Sequence, residues 1–126
     1  MELTLNRISR YFKITGWYGI LVLVPHYFIE QKIGIEQPPP ITHPEFYYGF
    51  VGVALAFQFV FFVIAKDPIK FRCLMPIGVF EKISFSLGVY VLYFSGRVPI
   101  LMLVPATIDL LFGLGFVIAF CKTPKV

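Results

Sequence analysis

Charge is what this chain has least of. Only 14% of its 126 residues are Asp, Glu, Lys or Arg, whereas a soluble domain carries about 25%. The shortfall is concentrated in four apolar runs. Cysteine is also scarce: Cys73 and Cys121 have no CxxC spacing and no adjacent His pattern, which argues against metal binding by them. No stretch spells out a catalytic or cofactor motif, so neither a cofactor nor a metal is expected. A separate soluble module is not expected either, because the length fits one domain. The net charge of +4 would suit nucleic acid. However, the basic residues sit at the ends of the apolar runs, where they anchor a membrane protein and face anionic lipid. Nucleic acid is therefore not an expected partner.

Apolar side chains fill the space that charge leaves. The composition is 58% hydrophobic and 18% aromatic, with fifteen Phe and seven Tyr, and the mean hydropathy is +0.81. The spacing predicts four transmembrane helices, over about residues 11–29, 44–65, 74–94 and 99–121, each near the ~20 residues a bilayer needs. The first run follows Arg7, Arg10 and Lys13 as a signal peptide would, but it ends in Pro25-His26-Tyr27 without a small-x-small site. It reads as a retained helix. Pro25 and Pro105 are expected to kink the first and fourth spans. Between the first two spans lies a polar break containing Pro38-Pro39-Pro40, which favours extended geometry. Thr42 and Glu45 have the spacing of a capping box for the second helix, with Pro44 in its first turn.

Short connections make consecutive helices antiparallel neighbours. The expected fold is all-α, an up-and-down bundle of four transmembrane helices. Basic residues cluster before the first span (Arg7, Arg10, Lys13), in the middle turn (Lys66, Lys70, Arg72) and after the last span (Lys122, Lys125). Only Lys32 and Arg97 fall on the other side. This asymmetry predicts both termini in the cytoplasm of a bacterial inner membrane. Gly16, Gly19, Gly49, Gly52, Gly113 and Gly115 are candidate points of close helix approach. None forms a GxxxG.

An ionisable group at membrane depth costs about 2.5–3.5 kcal/mol on insertion scales and calls for an explanation. His26, Glu81, Lys82 and Asp109 are such groups and are the candidate catalytic residues. His26, Gln58, Tyr90 and Asp109 are the candidate ligand-binding residues. Counting helical rise predicts two polar layers, one holding His26 and Asp109 and one holding Gln58, Glu81 and Lys82. Side chains lean toward their own helix N-terminus, which favours an Asp109–His26 pair, with Lys82 as the alternative partner. The plainer readings are that Glu81 and Lys82 snorkel to the interface, that Asp109 belongs to a structural buried pair, that His26 is structural at the end of its span, and that Gln58 bonds between helices. His43 reads as a turn residue.

The layout resembles the small bacterial DoxX-like four-helix membrane proteins. The matching residues are Gly19 and Pro25, Gly49 and Gly52, Asp67-Pro68, Lys82 and Gly88, and Asp109 with Gly113 and Phe116. The resemblance implies the bundle and its orientation. It implies no single chemistry, since members are linked to quinone-connected oxidation or to partner-protein complexes. A related group, similar to sterol isomerases and sigma receptors, sets intramembrane acids around an apolar ligand. This chain has Glu81 and Asp109 but not that group's fuller polar array. The small size and many Phe residues predict a non-catalytic accessory subunit in contact with lipid, with other membrane subunits or with copies of itself. The alternatives are a binder of a lipid, quinone or sterol-like molecule, with or without isomerase-type chemistry, and an oligomeric transporter or channel.

Overall fold

A computed structural model describes all residues from Met1 to Val126. The chain is all-helical: α1 (Glu2–Leu23), α2 (Glu30–Glu36), α3 (Pro44–Lys66), α4 (Met75–Phe94) and α5 (Leu103–Lys122). Short 3₁₀ turns cover Val24–Phe28, Arg72–Leu74 and Ile100–Met102. The helix starts follow from proline. Pro44 and Pro76 lie in the opening residues of α3 and α4, where a missing N–H costs nothing.

Pro105 lies in the first turn of α5. It therefore starts a helix, and the kink expected inside a longer span is not needed. The capping box also gives way. The α3 N-cap is His43, with no side-chain cap, and Glu45 instead accepts from the His43 ring at 3.0 Å. Part of the expected extended break is helical, since α2 occupies Glu30–Glu36 ahead of the three prolines.

Three segments are long and apolar enough to cross a membrane: Pro44–Lys66, Arg72–Phe94 and Ile100–Lys122. The first helix is displaced from its expected range. It begins at Glu2, ends at Leu23 and continues as the Val24–Phe28 turn. The α-helical apolar part from Ile14 to Leu23 is only ~15 Å long. Pro25 is the reason, because it removes an N–H and the chain tightens into 3₁₀ geometry.

Cross-helix contacts show antiparallel neighbours. Along α1 and α3, Ser9 donates to the Ala65 carbonyl near one end, and Tyr47 donates to the His26 carbonyl at 2.6 Å near the other. Along α4 and α5, Gly78 faces Phe116 and Gly113 faces Lys82, while Ser86 donates to the Ala106 carbonyl at 2.8 Å. These two hairpins are the closely packed pairs, and the seams between α3 and α4 and between α1 and α5 touch more sparsely. Arg72 closes the end that holds both termini. Its guanidinium donates to the Thr123 and Phe120 carbonyls at 2.9 and 3.1 Å and lies 3.7 Å from the Phe120 ring centroid. At the opposite end Gly96 adopts φ +73°, a left-handed turn that suits glycine between α4 and α5.

The core is divided. A larger cluster near the Arg72 end includes Ile8, Phe12, Phe61, Ile64, Met75 and Phe116. Phe12 and Phe116 stack at 4.4 Å, and Phe61 meets Phe116 edge-on at 4.9 Å. A smaller cluster of Leu23, Val51 and Ala54 lies toward the other end. Only 23 residues are buried, and Phe28, Phe46, Phe80 and Phe94 are among the exposed apolar side chains. So large an apolar exterior marks a surface meant for lipid or protein rather than water. Trp17, the single tryptophan, belongs to that exterior and packs beside Phe62 at 5.4 Å.

Candidate functional site

The polar residues spaced along four runs of sequence converge on one cavity. It has a volume of about 240 Å³, and His26, Gln58, Glu81, Lys82 and Asp109 all line it. The two expected polar layers are therefore a single chamber. They arrive from four different elements: His26 from the turn after α1, Gln58 from α3, Glu81 and Lys82 from α4, and Asp109 from α5.

Lys82 is the centre of the site. Its ammonium lies 3.3 Å from Asp109 Oδ1 and 3.7 Å from Glu81 Oε2. Its side chain is 3% exposed, so the snorkelling reading does not hold. The rings of Phe61 and Phe112 lie 5.3 and 5.8 Å from the same ammonium and add cation–π attraction. Two carboxylates and two aromatic rings thus surround one cation. Packing explains how Lys82 reaches Asp109. Gly113 has no side chain where the Lys82 stem passes, and a Cβ there would sit 3.2 Å from Lys82 Cβ. The α4–α5 hairpin can then close tightly enough for the pair to form. Ser86, one turn on, ties the same seam.

The expected Asp109–His26 pair is not formed. His26 Nδ1 instead lies 2.7 Å from the Val22 carbonyl. The last carbonyls of a helix have no backbone partner, and a histidine just beyond the end satisfies one of them. His26 still lines the cavity.

Gln58 is 1% exposed. Its amide donates to the Ala54 carbonyl at 2.8 Å, and Gln58 Oε1 has no partner. The expected bond between helices is therefore a bond within α3. Gly19 makes room for this side chain, since a Cβ on Gly19 would overlap the Gln58 carboxamide. Glu81 Oε2 is likewise buried without a hydrogen bond. Tyr90 stands apart from the chamber, where its hydroxyl bonds to Thr107 Oγ1.

A second space adjoins the chamber. It is an open groove of about 730 Å³ between α3 and α4, walled by apolar side chains such as Val53, Phe57, Phe80 and Leu92. Phe50, Ala54, Glu81 and Phe85 line both spaces. Phe50 and Phe85 stack across the seam at 5.8 Å. Gly49 and Gly88 also line the groove, and a Cβ on either would meet nothing within 4 Å. The sequence did not single out Phe50 or Phe85, because nothing distinguishes them from the other thirteen phenylalanines. Glycines in the middle of apolar helices were the available signal for the groove.

The donor set does not form a metal site: no group of three His, Cys, Asp or Glu residues could hold an ion. The arrangement can accept hydrogen bonds from a buried polar group while shielding an attached apolar chain. No family model, curated protein or solved structure matches the chain.

Proposed function

We propose that this protein is a four-span membrane protein that binds an amphipathic molecule taken from the lipid phase. The ligand's polar head occupies the chamber around Lys82, and its apolar part lies in the groove between α3 and α4. The observation that carries this reading is the shared wall: a polar chamber and an apolar groove meet at Phe50, Ala54, Glu81 and Phe85. Ligand sites combine mostly apolar walls with a few convergent polar groups, and this pair of spaces has that character. Asp109 is engaged with Lys82 within its own bundle, which favours an internal site over a pore lined by Asp109 from several copies. The exposed phenylalanines are what lipid would cover, so they favour an accessory-subunit role no more than they favour a binder.

In this reading α1 is the fourth span, completed by the Val24–Phe28 turn. Together Ile14–Phe28 reach ~25 Å, at the rises of α and 3₁₀ helix. The basic end, where Ser9 meets Ala65 and Arg72 meets Thr123, faces the cytoplasm of a bacterial inner membrane. The DoxX-like resemblance agrees with this orientation and supplies no ligand.

The test is small-molecule mass spectrometry on protein purified in mild detergent, with Gly88→Leu as the comparison. The Leu side chain would project into the groove. A molecule retained by the wild type and depleted from a Gly88→Leu protein of unchanged helicity and melting temperature supports the reading. Identical extracts from two equally folded proteins would overturn it.

A further inference from the structure

We infer that the chamber selects a head group that donates hydrogen bonds, an O–H or N–H, and discriminates against heads that only accept, such as esters, ketones and quinones. This deepens the ligand-binding reading and rests on it.

The argument is a count of donors and acceptors. Six polar side chains line the cavity: Tyr18, His26, Gln58, Glu81, Lys82 and Asp109. The Lys82 ammonium is the only cation among them apart from a protonated histidine, and it is already enclosed by Asp109, Glu81 and the faces of Phe61 and Phe112. The Gln58 amide donates to Ala54. The His26 Nδ1–H donates to the Val22 carbonyl, because a carbonyl oxygen can only accept. The Tyr18 hydroxyl, which makes no hydrogen bond, is the one donor left in the wall.

The free acceptors outnumber it. Gln58 Oε1 and Glu81 Oε2 are both buried with no hydrogen-bond partner, and Glu81 Oε2 has only the Lys82 ammonium nearby, at 3.7 Å. Two carboxylates also stand against one ammonium. A buried acceptor without a donor is left desolvated and uncompensated, and that cost is recovered only by a ligand or water that brings hydrogens. A carbonyl head would bring more lone pairs to a site already in excess of them.

Glu81 is the residue that reads the head group first. It lines the groove as well as the chamber, so a molecule moving in from the lipid meets its carboxylate at the junction. The Phe50–Phe85 stack, at the same junction, separates the head from the apolar chain.

The experiment measures retention of three oleyl probes by the full-length protein in nanodiscs of neutral phosphatidylcholine, with empty discs subtracted. Oleylamine carries an ammonium, oleyl alcohol one hydroxyl, and methyl oleate no donor. We expect both donor probes to be held about tenfold more strongly than the ester, the ratio expected from one recovered charge-assisted hydrogen bond. The amine-to-alcohol ratio then identifies which donor the site prefers. Glu81→Gln, which replaces a carboxylate oxygen with an amide N–H, should reduce the donor preference severalfold. Gln58→Leu should do the same if Glu81→Gln fails to fold. Equal retention of all three probes above background would overturn the head-group inference and leave the ligand-binding reading standing. Retention of none above empty discs would overturn both. An undiminished donor preference in a folded Glu81→Gln or Gln58→Leu protein would also defeat the inference.

Discussion

The two ends of the bundle are built on different principles. At the end closed by Arg72, Phe12, Phe61 and Phe116 stack in a continuous aromatic core with Ile64 and Met75, and glycines at 16 and 78 let the neighbouring rings approach. Further along, near Gly19 and Ala54, the packing opens into a chamber with unpaired oxygens and a groove whose glycines at 49 and 88 touch nothing. Gly78 and Gly88 lie on the same helix, yet one allows contact and the other leaves space. In the proposed reading, the closed end supplies stability and the open end gives some of it up to keep a site accessible. Binding sites are drawn from the less stable parts of a structure for this reason.

Mutations should separate the two ends, beginning with the aromatic core. Phe116→Ala removes the ring that both Phe12 and Phe61 contact. It should cost about 3–5 kcal/mol in denaturant unfolding from detergent, the usual range for a buried Phe. If it costs as little as a change in the groove, the contrast between the ends is lost. Next comes Lys82→Met, which leaves two carboxylates facing one another without their cation. A loss of about 3 kcal/mol is expected by the same measurement. The double change Lys82→Met with Asp109→Leu should recover part of it, because removing both partners removes the uncompensated charge.

Gly19→Ala introduces a methyl into the Gln58 carboxamide and should destabilise by about 1–3 kcal/mol through overpacking. Adding Gln58→Ala relieves that clash, and failure of the second change to rescue the first would show that the Gly19–Gln58 contact is not what shapes this wall. The smallest effect belongs to Gly88→Ala. With open space around the new methyl, stability should rise by up to about 1 kcal/mol from helix propensity. A marked loss would mean that the groove is closed in the membrane. The polarity of the ends is checked with thiol reagents. Cys73 and Cys121 are both exposed and free and neighbour the Arg72–Phe120–Thr123 contact. Neither should react with an impermeant maleimide added outside intact cells.

Much of the architecture could be read from spacing alone. The three apolar segments beginning near Pro44, Arg72 and Ile100 fall close to where hydropathy put them; a short connection accounts for the α4–α5 pair, whereas α1 and α3 pack closely across the twenty residues Val24–His43 and α3 and α4, joined by a short turn, touch sparsely. Five of the six polar residues of the chamber were also visible, because polar groups at membrane depth are conspicuous, whereas Tyr18 is one tyrosine among seven. Their grouping was less so. Depth counted along ideal helices assigned His26 to one layer and Lys82 to another, but the helix that leads to His26 tightens after Leu23, and the long Lys82 stem spans the remaining difference. Side-chain lean favoured His26 for Asp109 because the rule treats each helix in isolation. The Gly113 contact, which brings α4 and α5 close enough for Lys82, belongs to the pair of helices. Only its glycines hinted at the groove in the sequence, since the phenylalanines that wall it are indistinguishable by type from those in the core.

The position of Trp17 gives the molecule a built-in optical gauge. It is the only indole in the chain, it projects outward from α1, and the ring beside it, Phe62, absorbs too far to the blue to interfere with its emission. In bilayers containing brominated acyl chains, the depth of bromine that quenches best would mark how far this helix sinks, with no label attached and no residue changed.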